Sequence, residues 1–293
     1  MKGIKVIFII AAFVFLAFYC KNVFLQEHEP ALDTAVMPQE ELPAGERVKV
    51  FSIAGFSDSG IKAWEMHGKS ADIFSETINL SDINADSYGD NVKVNLKADK
   101  GVFDRKTNNI ELKDNVRIVT DEGTTLDTET LNWDAKEGIV YTDTRVFIKR
   151  KEMDIVGTGA LSRHSLKLAQ LDSDINVDLK DPPAVITCDG PLEIDYEKNI
   201  AYFNNNVKVV DKETSISTDK ATAYFEPKKK SLKMVFCQGN VSIKRGEDVT
   251  YAEQLTYLPG EGRVMLEGRP KIIIRGTEGL LQKYKEKKES ISE

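Results

Sequence analysis

The chain has 293 residues, 30% of them charged and 8% aromatic, which excludes a disordered polymer and leaves room for two ordinary domains. Its formal charge of −7 argues against a general nucleic-acid binder, because neutralising phosphates needs a basic surface. Its three histidines, His28, His67 and His164, stand far apart and in no ligand spacing, so no metal and no cofactor is expected.

The first element is apolar. Lys2 and Lys5 precede an uncharged run from Val6 to Cys20. Extended over residues 4–25, the segment would span roughly 33 Å as a helix, close to the bilayer core thickness. We expect a retained transmembrane anchor over 1–25. The early lysines favour a cytoplasmic N-terminus and an exported body. The alternatives are a cleaved signal peptide and a lipid-modified Cys20. Phe18 and Tyr19 argue against both, since each needs small residues there. Residues 26–46 are acidic and hold three prolines, which reads as a linker.

From residue 47 the pattern changes to period two. "VKVNLKA", "NIELKDNVRIV", "TLDTETLNW", "RVFIKR", "LEIDY", "NVKVV", "MVFCQGNVSI" and "PKIIIRG" alternate apolar and polar residues. Such segments are strands with one wet face and one buried face. Polar clusters such as "DRKTNN", "TDEG" and "DAKEG" separate them, which predicts an all-β antiparallel body. Helical periodicity returns only in the charged tail over 276–293. Cys188 and Cys237 each precede x-Gly at an expected strand end; either a disulfide or two buried thiols fits.

The strands repeat. Glu129-x-Leu131-x-Trp133 is echoed by Glu253-x-Leu255-x-Tyr257, and Arg145 and Arg269 stand equally far beyond them. A weaker copy, Lys220-x-Thr222-x-Tyr224, lies between. Asn-Val pairs recur at Asn115, Asn206 and Asn240. Asn tolerates left-handed geometry, so each is expected at the end of a tight turn, where a hairpin arm re-enters the sheet. Two β units are expected, 47–180 and 181–275. Their boundary falls near Asp181-Pro182-Pro183, where prolines should interrupt pairing.

Catalytic motifs are missing. "HGKS" at 67–70 resembles the end of a phosphate loop, but Ala63 stands where that loop needs glycine. "DSDINVD" at 172–178 has Val177 at the glycine position of a calcium loop and reads as a solvated acidic turn. Gly157 and Gly159 suit a bulge or a close backbone approach. No catalytic residue is assigned.

Four stretches of residues 1–178 resemble the LptC family of lipopolysaccharide transport: "AWEMHGKSADIF", "LKADKGVFDRKTNNIELKDNVRI", "DTETLNWDAKEGIVYTDTRVFI" and "DIVGTGAL". Residues from about 184 to 275 resemble LptA, in "LEIDYEKNIAYFNNNVKVV" and "YAEQLTYLPGEGRVMLEGRPKIII". The second unit is a departure, since LptC chains end after one such domain. The resemblance implies an N-terminal transmembrane helix followed by two tandem open β-jellyrolls. It also implies an interior for acyl chains and edge strands that pair with neighbouring jellyrolls. The implied partners are lipopolysaccharide, the inner membrane, an inner-membrane Lpt ABC transporter and an LptA-type periplasmic bridge protein.

Alternation supplies a candidate inward face. In the first unit it comprises Val94, Leu96, Ala98, Ile110, Leu112, Val116, Ile118, Leu131, Trp133, Val146 and Ile148. In the second it comprises Leu192, Ile194, Val207, Val209, Met234, Phe236, Val241, Ile243, Leu255 and Tyr257. These residues either line a lipid trough or form ordinary sandwich core. The corresponding functions are a membrane-anchored lipid relay and a structural scaffold that pairs edge strands without carrying lipid. A polysaccharide hydrolase would need an exposed carboxylate pair, and nothing singles one out.

Overall fold

The computed structural model describes residues 46–274, apart from 57–61, 89–92, 152, 164–166, 182, 196 and 227–230. The expected anchor, the linker up to residue 45 and the charged tail lie outside the described residues. Among the described residues no helix is long and apolar enough to cross a membrane.

Every described element is a strand. The first half comprises β1 (Glu46–Phe56), β2 (Lys62–Ile73), β3 (Thr77–Tyr88), β4 (Lys93–Asp104), β5 (Ile110–Thr120), β6 (Thr125–Asp134), β7 (Ile139–Lys149), β8 (Met153–Arg163) and β9 (Leu168–Lys180). The second comprises β10 (Pro183–Cys188), β11 (Leu192–Asp195), β12 (Ile200–Val210), β13 (Thr214–Glu226), β14 (Ser231–Arg245), β15 (Asp248–Leu258), β16 (Arg263–Glu267) and β17 (Lys271–Ile273). They form one antiparallel meander. β10 and β11 are two halves of a single rung, since both pair with β9 and with β12. β16 and β17 likewise share β15.

Most of the strands are bent at mid-length. The register slips between Lys97 and Lys100, Lys113 and Val116, Asn204 and Val207, and Gln238 and Val241. Such slips are β-bulges, which turn a strand while keeping it in the ladder. Left-handed residues cluster at these points: Asp114, Asn115, Gly159, Asp174, Asn205, Asn206, Gly239 and Asn240 all have positive φ. The Asn-Val pairs therefore do not sit at hairpin ends, as their chemistry suggested. Asn115, Asn206 and Asn240 stand in the middle of β5, β12 and β14. The acidic run over 172–178 is likewise the bend of β9, not a turn, with Asp172, Asp174 and Asp178 exposed and Ile175 and Val177 buried.

One clasp recurs at these bends. Asn115 Nδ2 donates to Asp99 Oδ2 at 2.7 Å, and Asn240 Nδ2 to Asp219 Oδ2 at 2.9 Å. Asn206 donates in the same way to Asp189. Each bond ties a bend to the one on the neighbouring rung. Glycine serves where the acid comes closer: a Cβ on Gly239 would lie 2.4 Å from Asp219 Oδ2, and one on Gly159 2.3 Å from Asp172 Oδ2. The β6–β7 bend uses hydroxyls instead. Thr128 bonds Thr144 at 2.8 Å, and Thr142 bonds Thr144 at 2.9 Å.

One correction concerns the junction. Strand pairing is not interrupted near the prolines, because Pro183 pairs with Lys180 and the ladder runs on to Cys188 and Ile175. A single hydrophobic core extends from Ile83 to Leu255 through both expected units. Gly68 of "HGKS" has a packing role: a Cβ there would lie 2.3 Å from the ring of Phe51, a buried side chain of β1.

Cys188 and Cys237 are free and buried. Burial raises both thiols, Cys237 to about 11.

Two predictions follow from this architecture. Asn240→Ala loses the clasp and replaces a residue that tolerates left-handed geometry by one that tolerates it less well, so it should cost about 1–2 kcal/mol in denaturant unfolding. Asn240→Gly should lose only the hydrogen-bond share, and equal stability of Asn240→Ala and the parent would refute the clasp. Alkylation of Cys237 at pH 8 needs a thiolate that burial suppresses about a hundredfold. Iodoacetamide should therefore label it at least that much more slowly than an ordinary thiol, and unfolding in guanidinium should abolish the difference.

Candidate apolar binding site

The bends fold the sheet over its own apolar face. Each bent strand contributes two arms, and both arms point apolar side chains inward. On β12, Ala201 and Phe203 precede the bend while Val207 and Val209 follow it, and all four line the same cavity. Along one arm, cross-strand neighbours run Leu96, Ile118, Leu126, Ile148 and Ile155. The row continues through Val177, Ile186, Val209, Ile216 and Ile243. Ten successive strands thus place an aliphatic residue at the same level. Branched aliphatic side chains suit this position, because they pack well on a pleated, half-buried face.

The interior is not uniform. The larger cavity, about 280 Å³, lies between arms contributed by β8 to β15. Its wall is apolar throughout. A smaller cavity of about 60 Å³ lies between strands β2 to β7. Side-chain volume explains the difference. Beyond its bend, β6 presents Leu131 and Trp133 inward; β13 presents Ala221 and Ala223 at the comparable place.

The predicted inward face divides into three groups. Leu96, Ile110, Leu112, Leu131 and Trp133 line the smaller cavity. Leu192, Ile194, Val207, Val209 and Tyr257 line the larger one. Val94, Ala98, Val116, Ile118, Val146, Ile148, Val241 and Leu255 are buried core that lines neither, and Ile243 packs against that core. Phe236 and Met234 are corrections. β14 runs straight through its bend without changing phase, so Val235 and Cys237 face inward with Val241. Phe236 lies on the opposite face, paired with Thr222 and Thr256. The weak repeat at 220–224 is likewise out of step by one residue. Ala221 and Ala223 belong to the core; Thr222 and Tyr224 do not.

Several cavity residues were missed, notably Met153, Ile155, Ala201, Ala221, Ala223 and Val235. For Ala221 and Ala223 the signal was present in "ISTDKATAYF", where alternation changes phase at Asp219-Lys220, but alanine is a weak marker of an inward position.

Charge is kept off the walls of both cavities, although Arg150 and Asp195 are buried elsewhere. Lys100 and Asp114 pair at 2.6 Å beside the β4–β5 bend, and the lysine's hydrogen bond holds the Asp114 carboxyl below its usual range. Among the described residues no group of His, Cys, Asp and Glu could hold a metal. The Trp133 indole N–H is buried without a hydrogen-bond partner. Such an interior can solvate alkyl chains, and the wall of the larger cavity offers no polar surface to anything else.

No curated protein matches the chain. A solved structure, the WD40 domain of SCAP from fission yeast, is 8% identical, with 80% of this chain and 89% of that one covered. Its TM-score of 0.16 carries no argument about the fold. Family models are informative. Residues 190–278 match the LptA/(LptD N-terminal domain) LPS transport protein model. Residues 12–179, more than half of the chain, match the model described as lipopolysaccharide-assembly, LptC-related, and the chain belongs to that family.

Proposed function

We propose that the chain is a membrane-anchored relay. It accepts lipopolysaccharide from an inner-membrane Lpt ABC transporter and passes it along a continuous β-jellyroll trough toward an LptA-type bridge protein. Family membership places the chain in lipopolysaccharide transport. The single observation that favours the relay is the one hydrophobic core, which runs from the LptC-like stretch into the LptA-like one.

The energetics suit a conduit. An acyl chain exposed to water costs roughly 0.8 kcal/mol per CH₂. Moving it between a bilayer and an apolar trough costs far less, so the trough removes a barrier and supplies no direction. Direction comes from the transporter's ATP hydrolysis across the membrane. Val116, Ile118 and Val146 are at most 2% exposed, so the two arms must part to let a chain pass.

The two ends suit partner strands. Among the described residues β1 pairs only with β2, and Val50 and Ile53 on it are 79% and 51% exposed. At the other end Val264 and Ile272 are 51% and 62% exposed on β16 and β17. Unpaired edges of this kind invite strand addition. In this reading one end meets the transporter and the other a bridge jellyroll, with the anchor over 1–25 holding the body at the inner membrane, N-terminus cytoplasmic.

A photo-reactive phenylalanine analogue at Trp133 replaces one aromatic with another. It should capture lipopolysaccharide when the transporter hydrolyses ATP. Absence of adducts at Trp133 and at the other inward positions, with partner binding intact, would leave the scaffold reading standing instead.

A further inference from the structure

We infer that the chain's own tail, residues 276–293, folds back as an amphipathic helix over the last rung of the sheet and caps the edge that a bridge jellyroll takes. Only the identity of that competitor rests on the relay reading above. Among the described residues β16 and β17 pair with β15 alone, so they form the last rung. Register carries the inward face onto it. Val235 pairs with Tyr257 and Tyr257 with Val264, while Cys237 leads through Leu255 to Leu266. On the other arm Ile243 leads through Thr250 to Ile272. One rung in, Cys237 and Leu255 are each 2% exposed; on the last rung Val264 is 51% and Ile272 62% exposed. Ile274, just beyond β17, is as exposed as Ile272. Both arms therefore end in aliphatic side chains that no further rung covers. Natural sheets cover such an edge with a helix or a loop.

The tail has the length and the pattern for this place. It follows Ile274 after a single residue, Arg275, and Gly276 and Gly279 let the chain reverse at once. Leu280 and Leu281 come next, within about 25 Å of Ile274 even at full extension. Helical spacing gathers Leu280, Tyr284 and Ile291 on one face with Leu281 beside them, and sets Gln282, Glu286 and Glu289 on the opposite face. That is the pattern of a helix laid into an apolar groove. Charge does not select the occupant, because Glu253, Glu261 and Glu267 stand among Arg263, Arg269 and Lys271. A short tether holds the tail at an effective concentration in the millimolar range, so a weak contact suffices to keep the edge covered. The cap keeps the last rung from pairing with a second copy and yields it to a partner that binds more tightly.

The test uses the full chain in phosphatidylcholine nanodiscs, without lipopolysaccharide or transporter. A photo-reactive phenylalanine analogue at Tyr284 should form adducts within the same chain, on residues 251–274, in a yield unchanged by dilution. Adducts with lipid, adducts between two chains, or none would each overturn the cap. Removal of 276–293 should speed amide exchange of β16 and β17 about tenfold or more. Should the shortened chain fail to fold, Leu280→Asp with Leu281→Asp serves in its place and should give the same result. Parent-like exchange in the variant overturns the cap as well. A purified LptA-type bridge protein should bind the uncapped chain at least about fivefold more tightly than the parent, since the competing closed state is gone. Equal affinity would overturn the competition. No binding to either chain would sink the edge reading of the relay and leave the tail contact to the crosslinks.

Discussion

The structure depends on bending long strands without breaking their ladders. A strand of eleven or more residues on a twisted sheet would bury one face only by finding a second sheet to cover it. Here the second sheet is the other half of the same strands. At each bend the backbone must leave the extended region, and an L-residue does so at a cost of roughly 1–2 kcal/mol in left-handed geometry. Asn, Asp and Gly carry the smallest penalty, which explains why they occupy these points in β5, β8, β9, β12 and β14. The Asn–Asp clasps at 99–115, 189–206 and 219–240 then tie neighbouring bends into line. Everything inside, including the cavity, takes its shape from that line.

The same constraint separates what the sequence made legible from what it hid. Strand existence, antiparallel order and the repeat were all readable, because period-two alternation is a local signal. The bends were not. A left-handed Asn serves a hairpin turn and a mid-strand bulge equally well, and only the pairing of distant strands distinguishes them. "QGNVSI" shows the ambiguity. Read as a turn, it divides β14 and leaves Phe236 free to face inward; read as a bulge, it keeps Val235, Cys237, Val241 and Ile243 on one face. Phase is also unpredictable from one strand alone. β4, β6 and β13 change phase across the bend, with Ala98 followed by Gly101, Thr128 by Leu131 and Thr218 by Ala221. β5, β9 and β12 do not. The count of residues across a bulge is set by the neighbouring rung, and no local pattern encodes it.

The prolines at the junction make the converse point. Pro182-Pro183 looked like a breaker, yet a proline costs a sheet only where its missing N–H would have been used. At the first position of β10, directly after a turn, Pro183 still pairs with Lys180. The residues that would end one domain therefore begin the next rung of the same sheet. Separate family models for 12–179 and 190–278 describe an evolutionary seam, and physically the sheet crosses it without a gap.

That continuity shapes how a bound lipid would be shared along the chain. Two jellyrolls docked through edge strands would have to hold their registers by contacts that form and break. Here β9 is bonded to β8 on one side and to β10 and β11 on the other, and the aliphatic row passes from Val177 to Ile186 by the ordinary ladder. An intramolecular junction of this kind works at an effective concentration that no separate partner matches. It leaves the interior free to vary in width without risk of dissociation. The widening at Ala201, Ala221 and Ala223 leaves the ladder intact, since β12, β13 and β14 stay paired across it.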